Sequence, residues 1–159
     1  EDDVLRLGKK DKFPYVGTTY RLTEHFHTWT KHARLNAIAQ PEQFVEISET
    51  LAKAKGIANG DRIEVSTPGA RVQGVALVRG GIAQGAVAIE YGYGHKQLGA
   101  VAHTVDGKLT AHNPQHGQGV NLNSLGFADP TRPTKDNVWI DWVSGAVVRQ
   151  GLPVKVKKV

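Results

Sequence analysis

Glycine and proline divide this chain into short pieces. With 18 glycines and 7 prolines in 159 residues, turn signals recur before any element can grow long. The fold therefore has to be assembled from brief strands and short helices. Hydrophobic residues make up 40% and charged residues 22%, an ordinary globular balance. The length suits one domain that buries a core without disulfides or a structural metal. Cysteine is absent, so disulfides, Cys-ligated iron–sulfur clusters and Cys-rich zinc sites are excluded within this chain. No apolar run approaches the ~20 residues needed to span a bilayer, so no direct membrane insertion is expected. The first ten residues, EDDVLRLGKK, open acidic and lack the apolar core of a secretory signal.

Residues 1–12 read as a polar lead-in and residues 13–159 as one domain. The run 13–22 (FPYVGTTYRL) is aromatic and β-branched, which predicts a strand. Residues 24–40 form an irregular loop passing into a short helix that ends before Pro41. A strand follows at 44–47. Ser48 is placed as the N-cap of a helix over 49–55, with Gly56 as its stop. Residues 62–67 (RIEVST) and 71–78 (RVQGVALV) flank Pro68-Gly69 and predict a hairpin. Residues 86–91 (AVAIEY) form an apolar strand. About fifty loop-like residues then lead to a last strand over 152–159, and a loop of that length is usually functional or ordered by a ligand. In VKVKKV, Val154 and Val156 alternate with lysines, predicting a half-buried strand whose wet lysine face guards a sheet edge. The class is mainly β with α insertions, a small β-barrel.

The formal net charge is +5 and the pI is about 9.5, which suits nucleic acid, anionic lipid or a phosphate-bearing ligand. Six basic residues sit in two end clusters, Lys9, Lys10 and Lys12, then Lys155, Lys157 and Lys158; the plain reading is two solvated ends.

The densest chemistry lies in residues 17–32, GTTYRLTEHFHTWTKH. So many polar groups make poor core material, because each would need a partner in the interior. They make good ligand-binding material. Arg21 and Lys31 neutralise phosphate, the Thr18, Thr19 and Thr28 hydroxyls donate to its oxygens, and His25, His27 and Glu24 match the edges of a heterocycle. A His25-x-His27 metal pair on one strand face lacks an obvious third ligand, and no G-x-S-x-G elbow supports a hydrolase. A polar surface loop with incidental histidines remains open. Residues 91–95 (YGYGH) and 119–125 (GVNLNSL) are further candidates, through Tyr91, His95 and Asn123, although each reads equally as a turn.

In order, these segments resemble one family. The stretch YVGTTYRLTEHFHTWTKHARLNAIAQPEQFVEISETLAKAKGIANGDRIEV is similar to the C-terminal domain of respiratory formate dehydrogenase catalytic subunits, and more broadly to the molybdopterin-dinucleotide-binding domain of the dimethyl-sulfoxide-reductase family. The resemblance implies a six-stranded double-psi β-barrel. It implies a molybdenum or tungsten bis(pterin guanine dinucleotide) cofactor held between this domain and the remaining domains of a large catalytic subunit, with an iron–sulfur subunit beyond. It places Arg21, Glu24, His25, His27 and Thr28 along one cofactor half. Tyr91 and His95 would stand at a strand end, Asn123 against a pterin, and Arg149 and Gln150 near the second pterin. The tail, GVNLNSLGFADPTRP and DWVSGAVVRQGLPVKV, resembles tetrathionate-reductase-like enzymes instead, leaving the substrate open.

The resemblance further implies a domain of a longer polypeptide. Its parent would work in the periplasm, with the cytoplasm staying open. The domain itself would carry no catalytic residue and no metal ligand. A different class, a stand-alone basic barrel stacking single-stranded nucleic acid on Tyr20, Phe26 and Trp29, is the alternative, though no nucleic-acid motif is present and none is expected as a partner.

Overall fold

The computed structural model describes residues 10–31, 33–94, 104–109, 119–126, 140–141 and 143–159. Local signals produce the elements that are shortest in range. Ser48 caps the helix Glu49–Lys55 (α2), its hydroxyl accepting from the Leu51 N–H at 3.2 Å. Glu49 in the first turn and Lys53 and Lys55 in the last complement the helix dipole, and the helix stops at Gly56. An earlier helix, Arg34–Ala39 (α1), ends before Pro41.

Six strands close a barrel: β1 (Tyr15–Thr18), β2 (Phe44–Ser48), β3 (Arg62–Ser66), β4 (Arg71–Arg79), β5 (Ala86–Ile89) and β8 (Leu152–Lys158). Their order around it is β1-β5-β2-β4-β3-β8. Two pairings, β1 with β5 and β2 with β4, are parallel; the other four are antiparallel. The hairpin β3–β4 turns through Thr67 and Ala70 as the Pro-Gly pair predicts. A separate two-stranded ribbon joins β6 (Thr104–Val105) to β7 (Lys108–Leu109), and a short 3-10 helix covers Leu122–Leu125. The result is the small β-barrel with α insertions that the residues predict, and the six-stranded closure that the resemblance implies.

Alternation fills the interior. Val45, Ile47, Ile63, Val65, Val87, Ile89 and Val154 are fully or almost fully buried, so burial of these aliphatics is the main driving force for closure, at ~1.5–3 kcal/mol each. Leu122 and Leu125 of the 3-10 helix join the same core, and the Thr67 hydroxyl donates to the Leu125 carbonyl at 3.0 Å.

Three expectations need correction. The first strand covers only Tyr15–Thr18, because residues 19–22 leave the β5 ladder, whose last pair is Thr18 with Ala88. The strand at 86–91 likewise stops at Ile89. The lysine face of β8 guards no edge, because β8 is paired on both sides, with β1 and β3. Instead Lys157 pairs with Glu64 at 3.3 Å and Lys158 with Asp61 at 2.6 Å, while Val154 and Val156 point inward as predicted.

Topology brings several strand ends to one rim. Since β1 and β5 run parallel, both end there; since β2 and β8 run against their neighbours, both begin there. Gln43, just before β2, is 1% exposed. Its Nε2 donates to the Glu90 carbonyl at 3.0 Å and the Val120 carbonyl at 2.6 Å, and its Oε1 accepts from the Val120 N–H at 2.9 Å. Gly119 lies beside it at φ +82°, where an added Cβ would collide with Gln43 Oε1; glycine is required for the approach.

Replacing Gln43 by Leu should therefore cost on the order of 3 kcal/mol, because three buried backbone groups lose their partner. Ser48→Ala should cost about 1 kcal/mol, the usual value of one cap. Denaturant unfolding of both variants checks this ranking, and an equal or reversed order would contradict it.

Candidate functional site

The residues 19–31 leave β1 at the rim and fold back across it without forming a strand. Interlocking side chains hold this segment. His25 is buried, its Nε2 lying 2.9 Å from the Gln40 carbonyl and its Nδ1 3.0 Å from the Thr30 hydroxyl. A carbonyl only accepts, so Nε2 carries a proton. Thr30 Oγ1 accepts from the Phe26 N–H at 2.8 Å and so links His25 Nδ1 to the backbone of the same segment. The Gln40 carbonyl also accepts from the Tyr93 hydroxyl at 3.1 Å, and His25 packs edge-on against Tyr93 at 5.7 Å. The Glu24 carbonyl accepts from Asn36 Nδ2 at 2.5 Å, which docks α1 on the segment.

His27 faces a different neighbour. Its backbone is left-handed at φ 52°, a conformation that costs a non-glycine residue about 1–2 kcal/mol. Its ring stacks on Tyr91 at 4.9 Å and 24°, with Tyr91 Oη 3.3 Å from Nε2. The Arg21 guanidinium lies over the same Tyr91 ring, 4.6 Å from its centroid. Gly92 follows, and a Cβ there would stand 3.4 Å from the His27 carbonyl carbon and from the Thr28 backbone nitrogen. The segment 91–94 thus lies directly against 25–31.

The two histidines of the supposed His-x-His pair therefore diverge, one pinned to Gln40 and Thr30, the other stacked on Tyr91. Residues 25–27 are not a strand, so alternation does not apply to them. Among the described residues no group of three potential ligands could hold a metal ion.

The structure also gathers Thr18, Thr19 and Gln150. Thr18 Oγ1 donates to Gln150 Oε1, which also accepts from the Thr19 N–H at 3.1 Å, while Gln150 Nε2 donates to Thr19 Oγ1 at 2.5 Å. The Thr18 hydroxyl is thus engaged within the protein, and the Thr19 hydroxyl keeps its proton to donate. Arg149 is half-buried beside this group. Thr28 and Asn123 are exposed; Asn121, not Asn123, makes the local cap, accepting from the Asn123 N–H. Glu24 is half-buried near Tyr93. His95 lies outside the described residues.

Sequence reasoning missed Gln40, Gln43, Glu90 and Tyr93. Glu90 reads as the last residue but one of an apolar strand, yet it is 0% exposed and, among the described residues, neither carboxylate oxygen has a hydrogen-bond partner. Lys31 Nζ and His27 Nδ1 are likewise buried and unpartnered there. The Lys31 ammonium stands 3.1 Å from the Tyr93 ring centroid. Burial pushes the Glu90 carboxyl up, against the pull of Arg21 and Lys31. Burial also lowers the Lys31 amine to about 8, against the opposite pull of Glu90. Arg21 is exposed, and among the described residues its one hydrogen bond is a long contact of 3.5 Å to the Tyr20 carbonyl. Most of its donors remain available.

Because the folded Lys31 value lies below the ordinary 10.5, folding favours the neutral amine. That preference stabilises the fold fully above 10.5 and is lost as pH falls through about 8. An NMR titration of the Lys31 side chain should show a midpoint near 8. Glu90→Gln should move it lower still, since the carboxylate is what holds the ammonium charged. A midpoint at the free-lysine value would contradict this environment.

The fold agrees with what comparison finds. The family model described as "Molydopterin dinucleotide binding domain" matches residues 15–138. The nitrate-inducible formate dehydrogenase major subunit of Escherichia coli is 76% identical over 49% of this chain and 8% of its own length. A tetrathionate reductase subunit of Salmonella typhimurium is 45% identical over 76% of this chain and 12% of its own. Acetylene hydratase from Pelobacter acetylenicus shares the fold, with a TM-score of 0.70 over 95% of this chain and 19% of that one, at 17% identity. The chain thus spans about a tenth of the length of the curated relatives it matches. With a family match over most of its length and this barrel beneath it, the chain belongs to the molybdopterin dinucleotide binding domain family.

Proposed function

We propose that this chain is the cofactor-gripping C-terminal domain of a large molybdenum or tungsten oxidoreductase of the formate dehydrogenase type, holding a bis(pterin guanine dinucleotide) cofactor against the other domains of its parent. The observation that carries this reading is convergence. Residues 18–31, 91–93 and 120–123, far apart in sequence, meet at one barrel rim through His27–Tyr91, Lys31–Tyr93 and Gln43–Val120.

The donor set fits a polyanionic, heterocyclic ligand. Arg21 offers a planar fork for a diphosphate, Thr19 and Thr28 offer hydroxyls, and His27 Nδ1, Lys31 Nζ and the Glu90 carboxylate oxygens are buried without a hydrogen-bond partner among the described residues. Buried groups left in this state cost free energy, so a ligand that satisfies them gains affinity. When bound, the cofactor's metal supplies the redox chemistry. The protein's part is to fix orientation, through rings locked by stacking, and to set the local charge.

A second reading keeps the domain and changes the substrate. The match to tetrathionate reductase extends over more of the chain than the formate dehydrogenase match, though at lower identity, which favours a sulfur-oxyanion parent. By the same resemblance we assign the parent to the periplasm, with its electrons passing through an iron–sulfur subunit. No helix among the described residues is long and apolar enough to cross a membrane. The alternative of a barrel for single-stranded nucleic acid gains no support from the family match.

Guanosine diphosphate at millimolar concentration should raise the melting temperature of the chain. Arg21→Ala should weaken its binding about tenfold, the worth of a charged hydrogen bond. Calorimetry reads both. Equal binding by the variant, or tighter binding of oligonucleotides with a steep salt dependence, would overturn the reading.

A further inference from the structure

The outer wall of the barrel carries a second polar cluster, apart from the segments that converge on Gln43 and Tyr91. Strand β3 is separated from β5 by β2 and β4 on one side and by β8 and β1 on the other, so it forms the opposite wall. Ile63 and Val65 of β3 and Val156 of β8 fill the core. Alternation therefore turns Glu64 and Ser66 to the outer face. Register sets each of them between two partners on that face. Glu64 lies between Gln73 of β4 and Lys157 of β8, and Ser66 lies between Arg71 of β4 and Lys155 of β8.

The two rows are built alike but completed differently. In the first, the Glu64 carboxylate takes Lys157 at 3.3 Å. In the second, the central residue offers a hydroxyl and no charge, although two cations flank it. Arg71 and Lys155 are exposed, and among the described residues neither is in an ion pair. Lys155 stands over the Phe13 ring at 5.7 Å, which leaves its charge unneutralised. Ser66 is 7% exposed, and its Oγ has no hydrogen-bond partner among the described residues. A hydroxyl in that state costs free energy, which a bound acceptor recovers. Neighbouring strands stand about 4.8 Å apart, so both cations reach toward one point above Ser66. In the first row one carboxylate serves one lysine. Two cations and a hydroxyl donor match instead a doubly charged ion with several oxygens.

We infer that Arg71, Ser66 and Lys155 form a site for a small tetrahedral oxyanion, sulfate or phosphate, on the outer face of β3, β4 and β8. The guanidinium and the ammonium each take an oxygen from the flanks, and the Ser66 hydroxyl donates to a third from the sheet. This site does not depend on the cofactor-binding reading.

An NMR titration of the labelled 159-residue chain with sodium sulfate, sodium phosphate and sodium acetate tests this, with ionic strength held constant by sodium chloride. Sulfate or phosphate should move the amides of residues 65–67, 71–73 and 154–156 along one saturating curve in the millimolar range. Acetate, with a single charge, should bind about tenfold more weakly. Arg71→Gln and Lys155→Gln should each weaken sulfate binding about tenfold, and Ser66→Ala about fivefold. Lys55→Gln, at the exposed end of α2, lowers the net charge equally and should leave binding unchanged. Melting temperatures establish that each variant folds. A response that never saturates, acetate binding as tightly as sulfate, or an equal loss in Lys55→Gln overturns the site. A folded Ser66→Ala variant that binds like the wild type overturns it too.

Discussion

The Gln43 side chain satisfies three backbone groups from two segments far apart in sequence, the end of β5 and the loop entering the 3-10 helix. It binds Val120 as a neighbouring strand would, donating to its carbonyl and accepting from its N–H. In a dry interior an amide in this position is worth more than its hydrogen bonds suggest, because losing it strands every partner at once. The amide therefore fixes where Glu90 leaves the barrel and where the 119–125 segment crosses it. Tyr91, Tyr93 and the Asn121–Asn123 turn take their places from that anchor.

Around the anchor the site is built from aromatic rings more than from ion pairs. Arg21 and Lys31 each sit over a tyrosine, and His27 stacks on one of them. Rings confine the cations without neutralising them, so their charge stays available to an anion. The same arrangement leaves Glu90 without a hydrogen bond among the described residues, an unusual state for a buried carboxylate. Elsewhere in the barrel, carboxylates are paired: Glu46 with Arg79 at 3.0 Å and Glu64 with Lys157. Among the described residues, the buried side-chain polar atoms without a hydrogen-bond partner lie on this rim, in His27, Lys31 and Glu90, with Ser66 Oγ the exception.

Much of this was legible in the sequence where the cause is local. The Ser48 cap, the turn at Pro68-Gly69 and the alternation of Val154 and Val156 each follow from a few neighbouring residues. The barrel was expected from the short strands, and its six-stranded closure from the resemblance, but which strands pair was not, because the parallel pairing of β1 with β5 joins Thr18 to Ala88 across the intervening elements. That closure is also why the lysines of β8 protect no edge. In the site, the composition of residues 17–32 pointed to ligand binding, yet the roles within it were not readable. His25 uses both ring nitrogens inside the protein, and the Thr18 hydroxyl is taken by Gln150. Gln43 and Glu90 look like an ordinary surface amide and a strand-end acid. Only the register of β2 against β5 buries them together.

The central claim is that three separated segments form one ligand surface at a single rim of the barrel. Backbone chemical-shift mapping of the labelled chain during a guanosine diphosphate titration addresses it most directly. The account predicts that amides of residues 18–31, 91–94 and 119–123 move together with one saturation curve. Shifts confined to the lysine face of β8 and to the exposed arginines of β3 and β4 would contradict it.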